Sequence, residues 1–179
     1  MFGHADGAAL VDDTPRGLWL SLWGVAMALG IGIMGSARFH ALAVSQGEEN
    51  AATLGSHVVS DAWGALFAHA AGIVVILLFA RRRRERFALF VASVNWSWAV
   101  LSSALLVPFI VFWTALARGE ANGAVDGATA LFLLVILAIV VVARYRIVRI
   151  VFDMDRSRAF SLSFAALLVE QVTILALAT

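Results

Sequence analysis

The sequence predicts an all-α polytopic membrane protein, a bundle of five transmembrane helices. Three observations predict it. Of the 179 residues, 62% are apolar and only 14% are charged, against about 45–50% and about 25% in soluble domains. Too little polar surface remains to coat a globule of this size, which excludes an ordinary soluble enzyme, a nucleic-acid-binding domain and a disordered chain. The charges are also gathered into short stretches that separate long uncharged runs. Finally, arginines cluster at 81–86 and again at 144–158. Basic clusters after alternate runs are the pattern that five true spans require.

Residues 1–16 form a short polar segment with Asp6, Asp12, Asp13 and Arg16. It lacks the basic start of a secretory signal, and it is expected on the cytoplasmic side. Asp13-Thr14-Pro15 offers a helix N-cap followed by proline in the first turn. The first span is predicted over 17–37. A polar loop is predicted over 38–57, with Glu48, Glu49 and Asn50.

The second span is predicted over 58–80, with Asp61 near its start and His69 in its middle. The third covers 87–117. At ~1.5 Å per residue it exceeds a ~30 Å hydrocarbon core, and Pro108 inside it predicts a break in the backbone ladder. A glycine-containing loop follows over 118–127. The fourth span is predicted over 128–145, and the fifth over 159–178.

Glu170 and Gln171 interrupt the fifth span. A mid-helix acid costs about 2.5–3.5 kcal/mol on insertion, and ten Leu, Ile, Phe or Val residues in the stretch roughly offset it. The two basic clusters should face the cytoplasm. That places the N-terminus in the cytoplasm and the C-terminus in the periplasm, with residues 17–179 as one transmembrane domain.

The chain has no cysteine and no lysine. Disulfides, zinc–thiolate sites, iron–sulfur clusters and lysine Schiff bases are therefore excluded. Nucleotide-binding loops, nucleophile–base pairs and paired catalytic acids are absent from the sequence, so no enzyme, metal site or nucleic-acid partner is expected.

Four sets of residues stand out. Gly24, Ala28, Gly32 and Ser36 recur every fourth residue in the first helix, as do Gly64, Ala68 and Gly72 in the second. Small residues on one stripe let helix backbones approach closely in lipid, within the bundle or against another protein. His57 and Asp61 share a helical face at the outer end of the second helix. They form either an interfacial pair or a metal or proton-entry site. Arg81, Arg82, Arg83, Arg84 and Arg86 mark the cytoplasmic side and suit anionic lipid headgroups.

His69, Asn95 and Glu170 fall at similar distances from the arginine clusters, and they should meet near mid-membrane. One reading has Glu170 hydrogen-bonded to His69 or Asn95 to fix helix register. Another has an ion or proton pathway, the default hypothesis for an ionisable residue at that depth. In a third, Ala65 lies four residues before His69 and leaves room for the ring of a haem or chlorophyll with imidazole as axial ligand. That face resembles the ligand helix of light-harvesting polypeptides. Otherwise no cofactor is expected.

Three stretches resemble the bacterial members of the Yip-like family of small five-span membrane proteins. Asp13-Thr14-Pro15-Arg16-Gly17-Leu18-Trp19-Leu20-Ser21 is similar to the family's entry to its first helix. Glu85-Arg86-Phe87-Ala88-Leu89-Phe90-Val91, with Asn95-Trp96-Ser97, is similar to its second loop and third helix. Ala143-Arg144-Tyr145-Arg146 and Asp155-Arg156-Ser157-Arg158-Ala159 are similar to its last basic loop. The resemblance implies a five-helix inner-membrane bundle and no particular reaction. Glu170 lies outside it.

The expected function is that of a non-enzymatic accessory or scaffold protein of a bacterial inner membrane. It would pack against lipids and against another membrane protein or a second copy of itself. The rivals are a proton-coupled carrier or channel using His69, Asn95 and Glu170, and a pigment- or haem-binding subunit using His69.

Overall fold

A computed structural model describes residues 12, 14–45, 47, 53–117 and 123–177, with the side chains at 42, 82, 105, 107–130 and 133 outside the description. Five α-helices follow in order: α1 (Pro15–Ser45), α2 (Leu54–Phe79), α3 (Phe87–Ala117), α4 (Gly123–Phe152) and α5 (Arg156–Leu177). A short 3-10 helix, Arg81–Arg86, joins α2 to α3. Connections this short make consecutive helices antiparallel. The closest packing is α1 on α3 and α2 on α5.

Local chemistry sets the ends. Thr14 caps α1, its Oγ1 accepting the Gly17 N–H at 3.2 Å, with Pro15 as the first helical residue. Asp12 Oδ1 in turn accepts the Thr14 N–H at 2.9 Å. Hydrogen bonds from Thr14 hold the Asp12 carboxyl below its usual range. Most of the expected 1–16 segment, and the expected site of Glu48, Glu49 and Asn50, lie outside the described residues.

The helices are longer than the uncharged runs. The expected 38–57 loop is helical up to Ser45 and again from Leu54. Polar side chains end a hydrophobic run, but they do not end a helix that can solvate them. The same correction applies to α4, which continues past 145 to Phe152. Arg146 and Arg149 are therefore helical residues, not loop residues. The reason is a buried stripe at helical spacing, formed by Arg144, Ile147, Val148 and Val151.

The turn between α4 and α5 takes three residues. Asp153 adopts a positive φ of 50°, and the Met154 N–H reaches back to Arg149 O at 3.2 Å. This is a Schellman-type stop with aspartate at the usual glycine position. Asp155 then caps α5, its Oδ1 accepting the Arg158 N–H at 2.9 Å. At Pro108 the ladder lacks one bond, since proline has no N–H to give to Ala104 O, but the helix does not end there. Helix α3 runs through it to Ala117.

Among the described residues, a buried apolar cluster sits near the basic end. Ile76, Phe90, Val148 and Phe152 fill it, with the Phe90 and Phe152 rings 5.1 Å apart. Elsewhere large apolar side chains face outward, including Trp19, Trp23, Leu78, Leu134 and Leu175. Among the described residues, four helices are long and apolar enough to cross a membrane: α1, α2, the Arg83–Ala104 stretch and α5. Helix α4 contributes an uncharged run over 127–143.

Candidate functional site

Helices α2 and α3 are not among the closely packed pairs. Polar side chains bridge them instead. His69 Nε2 lies 3.0 Å from Asn95 Oδ1. The Asn95 amide donates to Ser21 Oγ on α1 at 2.9 Å, and the Ser21 hydroxyl donates to Leu18 O at 2.7 Å. Since Oδ1 can only accept, His69 must donate from Nε2, which fixes its tautomer. The Trp98 ring stacks on the imidazole with centroids 4.1 Å apart. The expected meeting of His69 and Asn95 is therefore found, with Ser21 as an unexpected third member.

Glu170 is not held by this chain. It meets Arg144 of α4, Nη1 to Oε1 at 2.5 Å, and corrects the expected pairing with His69 or Asn95. An arginine near Glu170 outcompetes a neutral imidazole or amide because it supplies the compensating charge. Both residues are about nine-tenths buried. The two atoms touch as a buried ion pair. The Glu170 carboxyl lies directly over Gly72 of α2, where a Cβ would overlap it.

A cavity of about 270 Å³ opens beside the pair. His69, Arg144, Glu170 and Gln171 supply polar groups, while Trp98, Leu101, Ile147 and Ile174 supply apolar wall. So His69 and Glu170 do share a space, though they do not pair. A second cavity, of about 450 Å³, adjoins it across Ala65, Trp98 and Ser102 and reaches Asp61 and Gly32.

The outer-end pair also changes partners. Asp61 Oδ2 accepts from Ser36 Oγ at 2.6 Å and lies 3.1 Å from His40 Nε2. His57 stacks on His40, with centroids 4.9 Å apart, in place of the expected contact with Asp61. The bonds cross from α1 rather than running along α2. Among the described residues, no group of three or more acidic or histidine side chains could hold a metal ion.

The small-residue stripes divide. A Cβ at Gly24 would come within 2.8 Å of Asn95 O, so α1 and α3 cross there at close range. Ala28 and Ala68 are buried. Gly64 is buried, but a Cβ there would meet nothing within 4 Å. Gly32 is exposed with open space around it, so it does not pack within the bundle. Ala28, Gly32 and Ser36 line the second cavity.

Among the headgroup candidates, Arg81, Arg83 and Arg84 are exposed. Arg86 is not free, because it donates to Val151 O at 2.9 Å and ties α4 to the basic turn. The side chain of Arg82 lies outside the described residues. At His69, Nε2 is engaged and one ring face is covered by Trp98. A porphyrin metal could reach Nε2 only by displacing Asn95.

Sequence reasoning missed Arg144, Ser21 and His40. Arg144 had a legible signal, since it heads a stripe continued by Ile147, Val148 and Val151. Ser21 and His40 had none, because small polar residues acquire partners only through helix crossing. Several helical hydroxyls bond only within their own helix, as Ser163 does to Ala159 O and Ser103 to Ala99 O, both at 2.8 Å. Comparison with protein-family models, characterised proteins and solved structures gives no match.

Proposed function

We propose that the chain is a non-enzymatic five-helix protein of a bacterial inner membrane, acting as an accessory or scaffold component. The observation that carries this reading is the outward-facing apolar surface of long helices, as at Trp19, Trp23, Leu78 and Leu175. Lipid tails or the apolar spans of another protein cover such a surface, and water does not. The basic turn and the arginines around the α4–α5 hairpin lie at one end, which supports a cytoplasmic N-terminus. A stoichiometric membrane partner recovered on mild solubilisation would support the role. A monomer that no membrane protein accompanies would count against it. Reporter fusions placing both termini on one side would overturn the five-span topology.

A second reading is a small proton-coupled carrier or channel. Its support is the buried Arg144–Glu170 pair on the wall of a cavity, because ionisable groups at membrane depth usually line pathways. In this reading Glu170 is the titrating group. The His69–Asn95–Ser21 chain is a brace, since an amide passes protons poorly. Proton flux into liposomes, lost on Glu170→Gln, would establish it. Flux unchanged by that substitution would exclude it.

A further inference from the structure

We propose that the cavity beside Arg144 and Glu170 is a binding site for a small zwitterionic solute of the amino-acid class. The solute's carboxylate would lie on Arg144 and its ammonium on Glu170. The proposal rests on the second reading above and names its substrate class.

The first argument is the buried pair. Arg144 and Glu170 are about nine-tenths buried and in ion-pair contact. A buried ion pair recovers its desolvation cost only when its remaining donors and lone pairs are also satisfied. Both side chains line the cavity, where a bound solute would meet those remaining groups.

The second argument is charge. The cavity wall carries one guanidinium and one carboxylate. A simple anion would face Glu170, and a simple cation would face Arg144. Either would leave a net charge in a low-dielectric interior. A zwitterion meets each group with its opposite and adds no net charge.

The third argument is size and lining. About 270 Å³ holds roughly nine waters at ~30 Å³ each, far more than bridging one contact requires. The apolar wall of Trp98, Leu101, Ile147 and Ile174 would take a carbon side chain. A mostly apolar pocket with a few convergent polar groups is the usual form of a small-molecule site.

The test is thermal unfolding of the purified chain in detergent with each of the standard amino acids, using acetate and methylammonium as single-charge controls. At about 10 mM, a solute of millimolar Kd should raise the midpoint by about 3–6 °C. At least one amino acid should do so, neither control should, and the shift should vanish in R144Q/E170Q. If that variant does not fold, Val140→Phe, which narrows the cavity and keeps both charges, takes its place. No shift with any amino acid would overturn the proposal, as would an equal shift with acetate or a shift that survives the variants. Binding is read without flux. A chain that binds but moves no protons keeps this site and loses only the second reading.

Discussion

Asn95 and Glu170 each sit over a glycine where two helices meet, Asn95 over Gly24 and Glu170 over Gly72. The two polar cross-links are nonetheless built in opposite ways. The His69–Asn95–Ser21 chain is neutral, and every step has a donor and an acceptor, ending on the Leu18 carbonyl. The Arg144–Glu170 link is charged, in close contact, and lies on the wall of a cavity. A satisfied neutral network rigidifies at little cost. A buried ion pair is no cheap source of stability, since apolar replacement of both partners is often neutral or better. The difference therefore separates a brace from a site.

The largest expected effect tests the charged side of that contrast. Arg144→Ala leaves the Glu170 carboxylate buried alone and should cost about 3–5 kcal/mol in denaturant unfolding. R144Q/E170Q should recover most of that loss, because no lone charge remains. Wild-type stability in the single variant would mean that Glu170 has another partner or reaches water.

Asn95→Ala tests the neutral side. It orphans the His69 Nε2–H and removes the donor to Ser21, at about 1–3 kcal/mol. Asn95→Ala should leave the ion pair intact, so its cost should add to that of R144Q/E170Q. A marked departure from additivity would mean the two links are one network.

The glycines should rank in order. At Gly24 a methyl meets the Asn95 backbone, which cannot move without shifting α3, so Gly24→Ala should cost about 1–3 kcal/mol. At Gly72 the obstacle is the end of a side chain, and the cost should be smaller. Gly32→Ala meets nothing and should gain up to about 1 kcal/mol from helix propensity. Unfolding midpoints in detergent give the order, and an equal cost at Gly32 would break the packing argument.

The smallest effect is expected at the outer end. The Asp61 side chain is 54% exposed, so its bonds to Ser36 and His40 are screened. Asp61→Ala should cost about 1 kcal/mol or less, which sets the floor against which the buried links are judged. A cost near that of Arg144→Ala would show that this cluster is buried in an assembly.

Much of the site was legible because depth is legible. Counting residues from the arginine clusters brought His69 to the level of Asn95, and the two do meet. Glu170 was correctly expected inside the bundle, with the wrong partner. The error came from counting Arg144 with the basic loop when it belongs to the interior face of α4. Uncharged runs mark where a chain is apolar, and helices end where capping groups end them. Here those groups are Asp153 and Asp155, several residues further on.

The sequence by itself determined the helical class, the number of helices, the capping at Thr14 and the interior placement of Glu170. Each follows from local chemistry: hydrophobic run length, a hydroxyl before a proline, and the cost of an acid in an apolar setting. Tertiary structure decided which stripes pack, that Asp61 belongs to α1's His40 and Ser36, and that Arg144 answers Glu170. Those outcomes depend on helix crossing and rotation. Shifts of a few ångströms set them, and residue spacing along one helix carries no record of its neighbour's angle.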